Sequence, residues 1–142
     1  MTNLQSLEFF VPEIILVITV IAALITDLFL KKSKTDLIGW VLGIGLIVVG
    51  LAVINLSHVP PTTLFLDMIV IDPFSSFIKI VIILATLFVI VASWSNHELN
   101  DYRKGEYFTI MGIMVIGLFL MASSIDIIML YVSIEVVSIM SF

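Results

Sequence analysis

The chain has 142 residues, of which 61% are hydrophobic and only 12% are charged. Soluble domains are roughly 45–50% apolar and about 25% charged, so this composition excludes a soluble globular fold and predicts a membrane protein. The net charge of −5 argues against nucleic-acid binding, and the absence of cysteine excludes disulfides, iron–sulfur clusters and thiolate zinc sites.

Apolar segments long enough to cross a bilayer follow one another along the chain. A spanning helix needs about 20 apolar residues, and backbone groups in lipid must be hydrogen-bonded within their own segment. We therefore predict an all-α, polytopic membrane protein of about five helices, forming a single membrane domain over residues 1–142. The predicted helices cover residues 12–30, 37–56, 74–94, 107–122 and 127–142.

The connections between these helices differ in charge and composition. Residues 31–36 and 95–106 contain lysine or arginine, whereas the second and fourth connections contain neither. The positive-inside rule therefore predicts that both basic loops are cytoplasmic and that the N-terminus lies outside. Residues 64–71 (LFLDMIVI) follow the turn expected at Pro60 and Pro61, which predicts a short outer strand or hairpin between helices 2 and 3.

Acidic residues mark the starts of several helices. Asp72 is expected to cap the third helix and Asp126 the fifth, while Glu13 in the first turn of helix 1 favours the helix dipole. The last apolar segment spans only about 24 Å at 1.5 Å per residue, which is short of the bilayer core. We therefore expect the natural chain to continue past Phe142.

Glu135 is the main candidate for chemistry. It lies about 12 Å into the last helix, near the bilayer midplane, where a charged carboxylate costs at least about 2.5 kcal/mol. Tyr131 and Ser138 share its helical face and provide hydrogen-bonding groups. This pattern predicts a proton-relay carboxylate; the alternative is a neutral glutamate that is hydrogen-bonded between helices.

A polar stripe at seven-residue spacing runs along the third helix. Its members are Asp72, Lys79, Thr86 and Ser93. Such a stripe is expected to face other helices, where it either lines a hydrated path or supplies interhelical hydrogen bonds. Lys79 has a second interpretation, in which it extends to the outer lipid headgroups. Asp27 precedes Lys31 by one turn, which predicts an ion pair at the cytoplasmic surface.

Five sequence blocks carry a resemblance to a known family. They are residues 11–16 (VPEIIL), 27–30 (DLFL), 72–79 (DPFSSFIK), 121–131 (MASSIDIIMLY) and 134–138 (IEVVS). In this order and spacing they resemble subunit N of bacterial NADH:quinone oxidoreductase, respiratory complex I, and the resemblance covers the whole chain. It implies a subunit of fourteen transmembrane helices that contains two inverted five-helix repeats. This chain is expected to be the N-terminal part of that subunit.

The resemblance also implies a function. The expected protein is a membrane subunit of a proton-translocating enzyme of the bacterial inner membrane, in contact with lipid and with neighbouring membrane subunits. Glu135 is expected to pair with a lysine on a seventh helix, which this chain lacks, so the chain alone should be inactive. The proton-transfer candidates are Glu135 and Lys79, with Tyr131, Ser138, Asp72 and Thr86 as supporting polar groups.

Neither a cofactor nor a metal is expected in this chain, since the resemblance implies that NADH, FMN, iron–sulfur clusters and quinone are bound by other subunits. Two alternatives remain open. One is a fragment of a Mrp-type antiporter that exchanges sodium for protons. The other is a small membrane scaffold in which Glu135 has only a structural role.

Overall fold

The computed structural model describes residues 6–7, 9–29, 36–94 and 104–142. Over these residues the chain forms five long helices and one β-hairpin, which confirms the predicted all-α polytopic fold. The helices are α1 (Val11–Phe29), α2 (Asp36–Leu56), α3 (Pro73–Trp94), α4 (Lys104–Ser123) and α5 (Ile127–Ser141). Within the described part of the chain, α1 to α4 are each long and apolar enough to cross a bilayer, whereas α5 is a shorter apolar helix of 15 residues.

The central helix of the bundle is α4, which packs against each of the other four helices. Its side chains Phe108, Val115 and Phe119 are fully buried and lie in one apolar core with Leu42 and Leu46 of α2. Between apolar helices in lipid, this close packing is the main source of association. In contrast, α5 packs chiefly against α4 and buries only Ser133 among its described side chains.

A β-hairpin lies between α2 and α3, as predicted. Strands β1 (Thr62–Leu64) and β2 (Ile69–Ile71) pair antiparallel. Their buried side chains form a second apolar cluster with Phe10 of the α1 entry and Leu120 of α4. The Ile125 N–H donates to the Met68 carbonyl oxygen at 3.0 Å, which joins the hairpin to the turn between α4 and α5. The hairpin therefore ties together several helix ends on one side of the bundle.

Asp72 caps α3, as its position before Pro73 predicts. Its Oδ1 accepts a hydrogen bond from the Ser75 N–H at 2.7 Å, and its own N–H donates to Ser75 Oγ at 3.2 Å. This reciprocal arrangement is a capping box, which satisfies donors that the first helical turn leaves unpaired. Asp126 occupies the equivalent position before α5, but its carboxylate makes no capping hydrogen bond.

The two caps allow a matched comparison. Asp72→Ala is expected to lower the free energy of unfolding by about 1 kcal/mol, because the Ser75 N–H loses its acceptor. Asp126→Ala removes the same side chain from a position without a capping bond and is expected to cost clearly less. The measurement is unfolding by sodium dodecyl sulfate in mixed micelles, followed by circular dichroism. Equal losses for the two variants would contradict the assignment of Asp72 as the hydrogen-bonding cap.

Candidate functional site in the helix bundle

Lys79 of α3 and Glu13 of α1 form an ion pair inside the bundle. Lys79 Nζ lies 2.5 Å from Glu13 Oε1, and both side chains are only about 4–5% exposed. The interpretation in which Lys79 extends to the lipid headgroups is therefore wrong. The physical reason is that Lys79 has its counter-charge on the neighbouring helix, so its ammonium group does not need water or phosphate.

Several elements converge around this pair. The ring centroid of Phe119, on α4, lies 5.8 Å from Lys79 Nζ, within the range of a cation–π interaction. A small cavity of about 10 Å³ is bordered by Ser76 and Lys79 of α3 and by residues of α1, α2 and β2. The charged pair is thus enclosed by four helices and the hairpin.

The polar stripe of α3 faces the bundle over most of its length. Thr86 and Ser93 are each 7% exposed, on the same side of the helix as Lys79. The Thr86 hydroxyl donates to the Ile82 carbonyl oxygen at 2.8 Å, and the Ser93 hydroxyl donates to the Val89 carbonyl oxygen at 2.7 Å. These hydroxyls are therefore satisfied by their own helix, and the structure does not connect Thr86 to Lys79.

Glu135 lies away from the Glu13–Lys79 pair, on the outer surface of the helix bundle. It is exposed on α5, where its side chain is hydrogen-bonded to Tyr131 one turn earlier. Ser138 is exposed on the same helix. The structure thus brings Tyr131 and Glu135 together, as their spacing predicts, but places the pair on the outside of the described helices and not between them.

The central helix α4 separates the two charged positions. Phe119 of α4 faces Lys79, whereas Gly117 of α4 is in close contact with Val136 and Val137 of α5. Because two residues advance a helix by about 200°, these contacts lie on nearly opposite faces of α4. The structure therefore contains two distinct charged positions, the Glu13–Lys79 pair and the Tyr131–Glu135 pair.

Other predicted features lie at the far ends of the helices. Asp27 packs against Gly105 at the start of α4, where a helix N-terminus favours a carboxylate. Its predicted partner Lys31 lies outside the described residues, as do most of the two basic loops.

Glu13 is a site residue for which the sequence predicts only a dipole interaction. The one signal for its pairing is that Glu13 and Lys79 are isolated opposite charges near the same end of two apolar helices.

The helix bundle and its buried ion pair define a polytopic helical membrane protein, and comparison with known proteins narrows this class. No family model matches the chain. It is 40% identical over 136 residues to NADH-quinone oxidoreductase subunit N 2 of Chloroherpeton thalassium, which covers 94% of the chain. It is also 37% identical over 132 residues to subunit N of Dehalococcoides mccartyi, covering 91% of the chain. F(420)H(2) dehydrogenase subunit N of Methanosarcina mazei is 27% identical over 146 residues and covers 98%.

These similarities confirm the resemblance to the subunit N family of NADH-quinone oxidoreductases, of which the chain is a relative. The chain spans only 27%, 26% and 29% of the length of these three curated relatives, respectively. The structure therefore describes a stretch of sequence that matches only part of the length of those proteins.

Proposed function

We propose that the chain acts within a membrane subunit of a proton-translocating NADH:quinone oxidoreductase in the bacterial inner membrane. The observation that carries this proposal is the similarity to subunit N proteins over more than nine-tenths of the chain. The apolar helices supply the membrane location. The distribution of lysine and arginine supports an orientation in which the hairpin faces outward and the two basic loops face the cytoplasm.

In this proposal, Glu135 carries protons. An acidic group within the hydrocarbon region is costly and is typical of substrate, ion or proton pathways. Tyr131 gives it a hydrogen-bonding neighbour, but otherwise the described helices leave it exposed. We propose that further helices of the full-length subunit cover this face of α5 and supply a lysine that pairs with Glu135. Ser138 would then border the same covered region.

The proposal assigns no redox step to this chain. Other subunits bind NADH, FMN, iron–sulfur clusters and quinone and carry out electron transfer. The quinone reaction in those subunits drives proton translocation. The absence of cysteine in the sequence agrees with this division because this chain has no thiolate ligands for a cluster. Lys79 is a second proton-transfer candidate, and the chain alone is not expected to translocate protons.

Glu135→Gln in the full-length subunit tests the role of this carboxylate. The variant keeps the size and hydrogen bonding of the side chain but cannot release a proton. We expect NADH-driven proton uptake into inverted membrane vesicles and NADH oxidation to fall together, by about 100-fold, the lower end of what positioned proton transfer contributes. The measurements are the quenching of a pH-sensitive dye and the absorbance of NADH.

Glu106→Gln is the matched control, because Glu106 is an exposed acid in the first turn of α4. It is expected to leave both rates unchanged. Full proton uptake in the Glu135→Gln variant would contradict a relay role for Glu135. Sodium-dependent pH changes that need no quinone would instead support the cation/proton antiporter alternative.

A further inference from the structure

We propose that the Glu13–Lys79 pair is a proton-exchange site that opens toward the hairpin end of the bundle through Ser76 and Asp72. In the proposed orientation this end faces the outside, so the pair would release protons there. This inference rests on the proposed function, because it concerns the exit of protons that the full-length subunit translocates. Its new elements are Glu13 as the partner of Lys79 and the short polar route that follows.

A contribution to the stability of the protein does not by itself explain why the helices contain this buried ion pair. Removing two charges from water costs several kcal/mol per ion, and well-packed apolar side chains of similar size often stabilise a protein as much or more. Ionisable side chains in membrane-spanning helices are rare and are typical of functional sites. A buried pair at an Nζ–Oε1 distance of 2.5 Å has no net charge at rest, so an apolar site tolerates it until a proton arrives.

The surroundings of Lys79 leave a direction open for proton release. Its ammonium group has three donors, of which one is directed at Glu13 and another side faces the Phe119 ring. Lys79 also lines the cavity of about 10 Å³ that Ser76 borders. A cavity of this size holds roughly one water molecule when polar groups line it. In this proposal, water held in the cavity is the proton acceptor for Lys79.

From Ser76 the polar route continues to the end of α3. Ser76 and Asp72 are four residues apart and so lie on one face of α3, and Asp72 is half-buried at the edge of an open groove of about 550 Å³. Lys79 and Asp72 are seven residues apart, which is about 10 Å along a helix. In the opposite direction, Thr86 and Ser93 donate to their own helix and offer no equivalent connection. Among the described side chains of the α3 stripe, those not bonded to their own helix interior therefore lie between Lys79 and the hairpin end.

The proton balance of such a site is simple. An arriving proton binds to the Glu13 carboxylate, so that a carboxylic acid and an ammonium group face each other. The Lys79 ammonium group then has no counter-charge in an apolar site. It gives one ammonium proton to water in the cavity, and the amine takes the carboxyl proton from Glu13. The carboxylate–ammonium pair is restored, and one proton has moved outward.

Lys79→Arg separates this role from a purely structural one. Arginine keeps the positive charge and the ion pair with Glu13, but it does not deprotonate in proteins. In the full-length subunit assembled in its complex, we expect proton uptake into inverted vesicles to fall by about 100-fold. If the ion pair has only a structural role, proton uptake is expected to be unchanged, and that result would overturn the proposal.

A second variant covers the case in which arginine does not fit. Glu13→Met with Lys79→Met keeps apolar packing and removes both exchangeable groups, so proton uptake is expected to be lost while the subunit still assembles. Normal uptake in this double variant overturns the proposal. If neither variant assembles, the pair is required for the structure itself, and the proposal is rejected as well.

Parallel measurement of Glu135→Gln distinguishes this inference from the proposed function. If Glu135→Gln stops proton uptake while the Lys79→Arg and double-methionine variants retain it, only the exit site is wrong. If Glu135→Gln also retains full uptake, the relay role of Glu135 in the proposed function fails. Loss of uptake in all three variants supports both.

Discussion

Replacing Lys79 by methionine is expected to lower the free energy of unfolding by about 3–5 kcal/mol, because the carboxylate of Glu13 stays in the bundle without its counter-charge. Methionine has a similar length and is apolar, so lost packing contributes little to this effect. The carboxylate has no water to replace the lysine, since its side chain is about 4% exposed. The measurement is detergent-induced unfolding in mixed micelles, followed by circular dichroism.

The double variant Glu13→Met/Lys79→Met provides the decisive comparison. Because it removes both charges, it is expected to recover stability to within about 1 kcal/mol of the unsubstituted protein, or to exceed it. Thr86→Val is a matched control on the same face of α3, since its hydroxyl is bonded only to its own helix. If the double variant is less stable than the Lys79→Met variant, the two charges do not stabilise each other as described.

The features that could be predicted from the sequence are those that depend on one continuous stretch of the chain. The long apolar segments predict the helices because lipid allows few other conformations. The hairpin follows from residues 64–71 after Pro60 and Pro61, and the α3 cap from Asp72 before a proline. The hydrogen bond between Tyr131 and Glu135 likewise reflects neighbouring turns of one helix. In each case the relevant interactions are local.

Features that depend on which helix faces meet were not predictable. Glu13 and Lys79 are 66 residues apart, and no local spacing relates them. The spacing of Gly39 and Gly43 suggests a close contact on α2, yet a methyl group at Gly43 would meet only Leu87 Cδ2 at 4.0 Å. The close approach to α1 is at Gly45 instead. A stretch of apolar residues satisfies the membrane on every face, so composition does not reveal which face meets a neighbouring helix.

Gly45→Ala is the second substitution with a large expected effect. A Cβ atom at Gly45 would lie 2.8 Å from Thr19 Cβ on α1, well inside normal contact. Rotation of the Thr19 side chain does not move its Cβ, so the two helices would have to separate. We expect the free energy of unfolding to fall by about 1–3 kcal/mol, as for overpacked cores, despite the higher helix propensity of alanine. The same detergent-induced unfolding measures it.

Three further substitutions test whether the contact with Thr19 causes this loss. Gly43→Ala introduces the same methyl group on the same helix, where the nearest atom is at 4.0 Å, and is expected to be neutral or stabilising. Thr19→Gly removes the opposing Cβ and should reduce the cost of Gly45→Ala to that of Gly43→Ala. Thr19→Ala keeps the Cβ and should restore little. An equal effect of alanine at both glycines would show that α1 and α2 do not approach each other at Gly45.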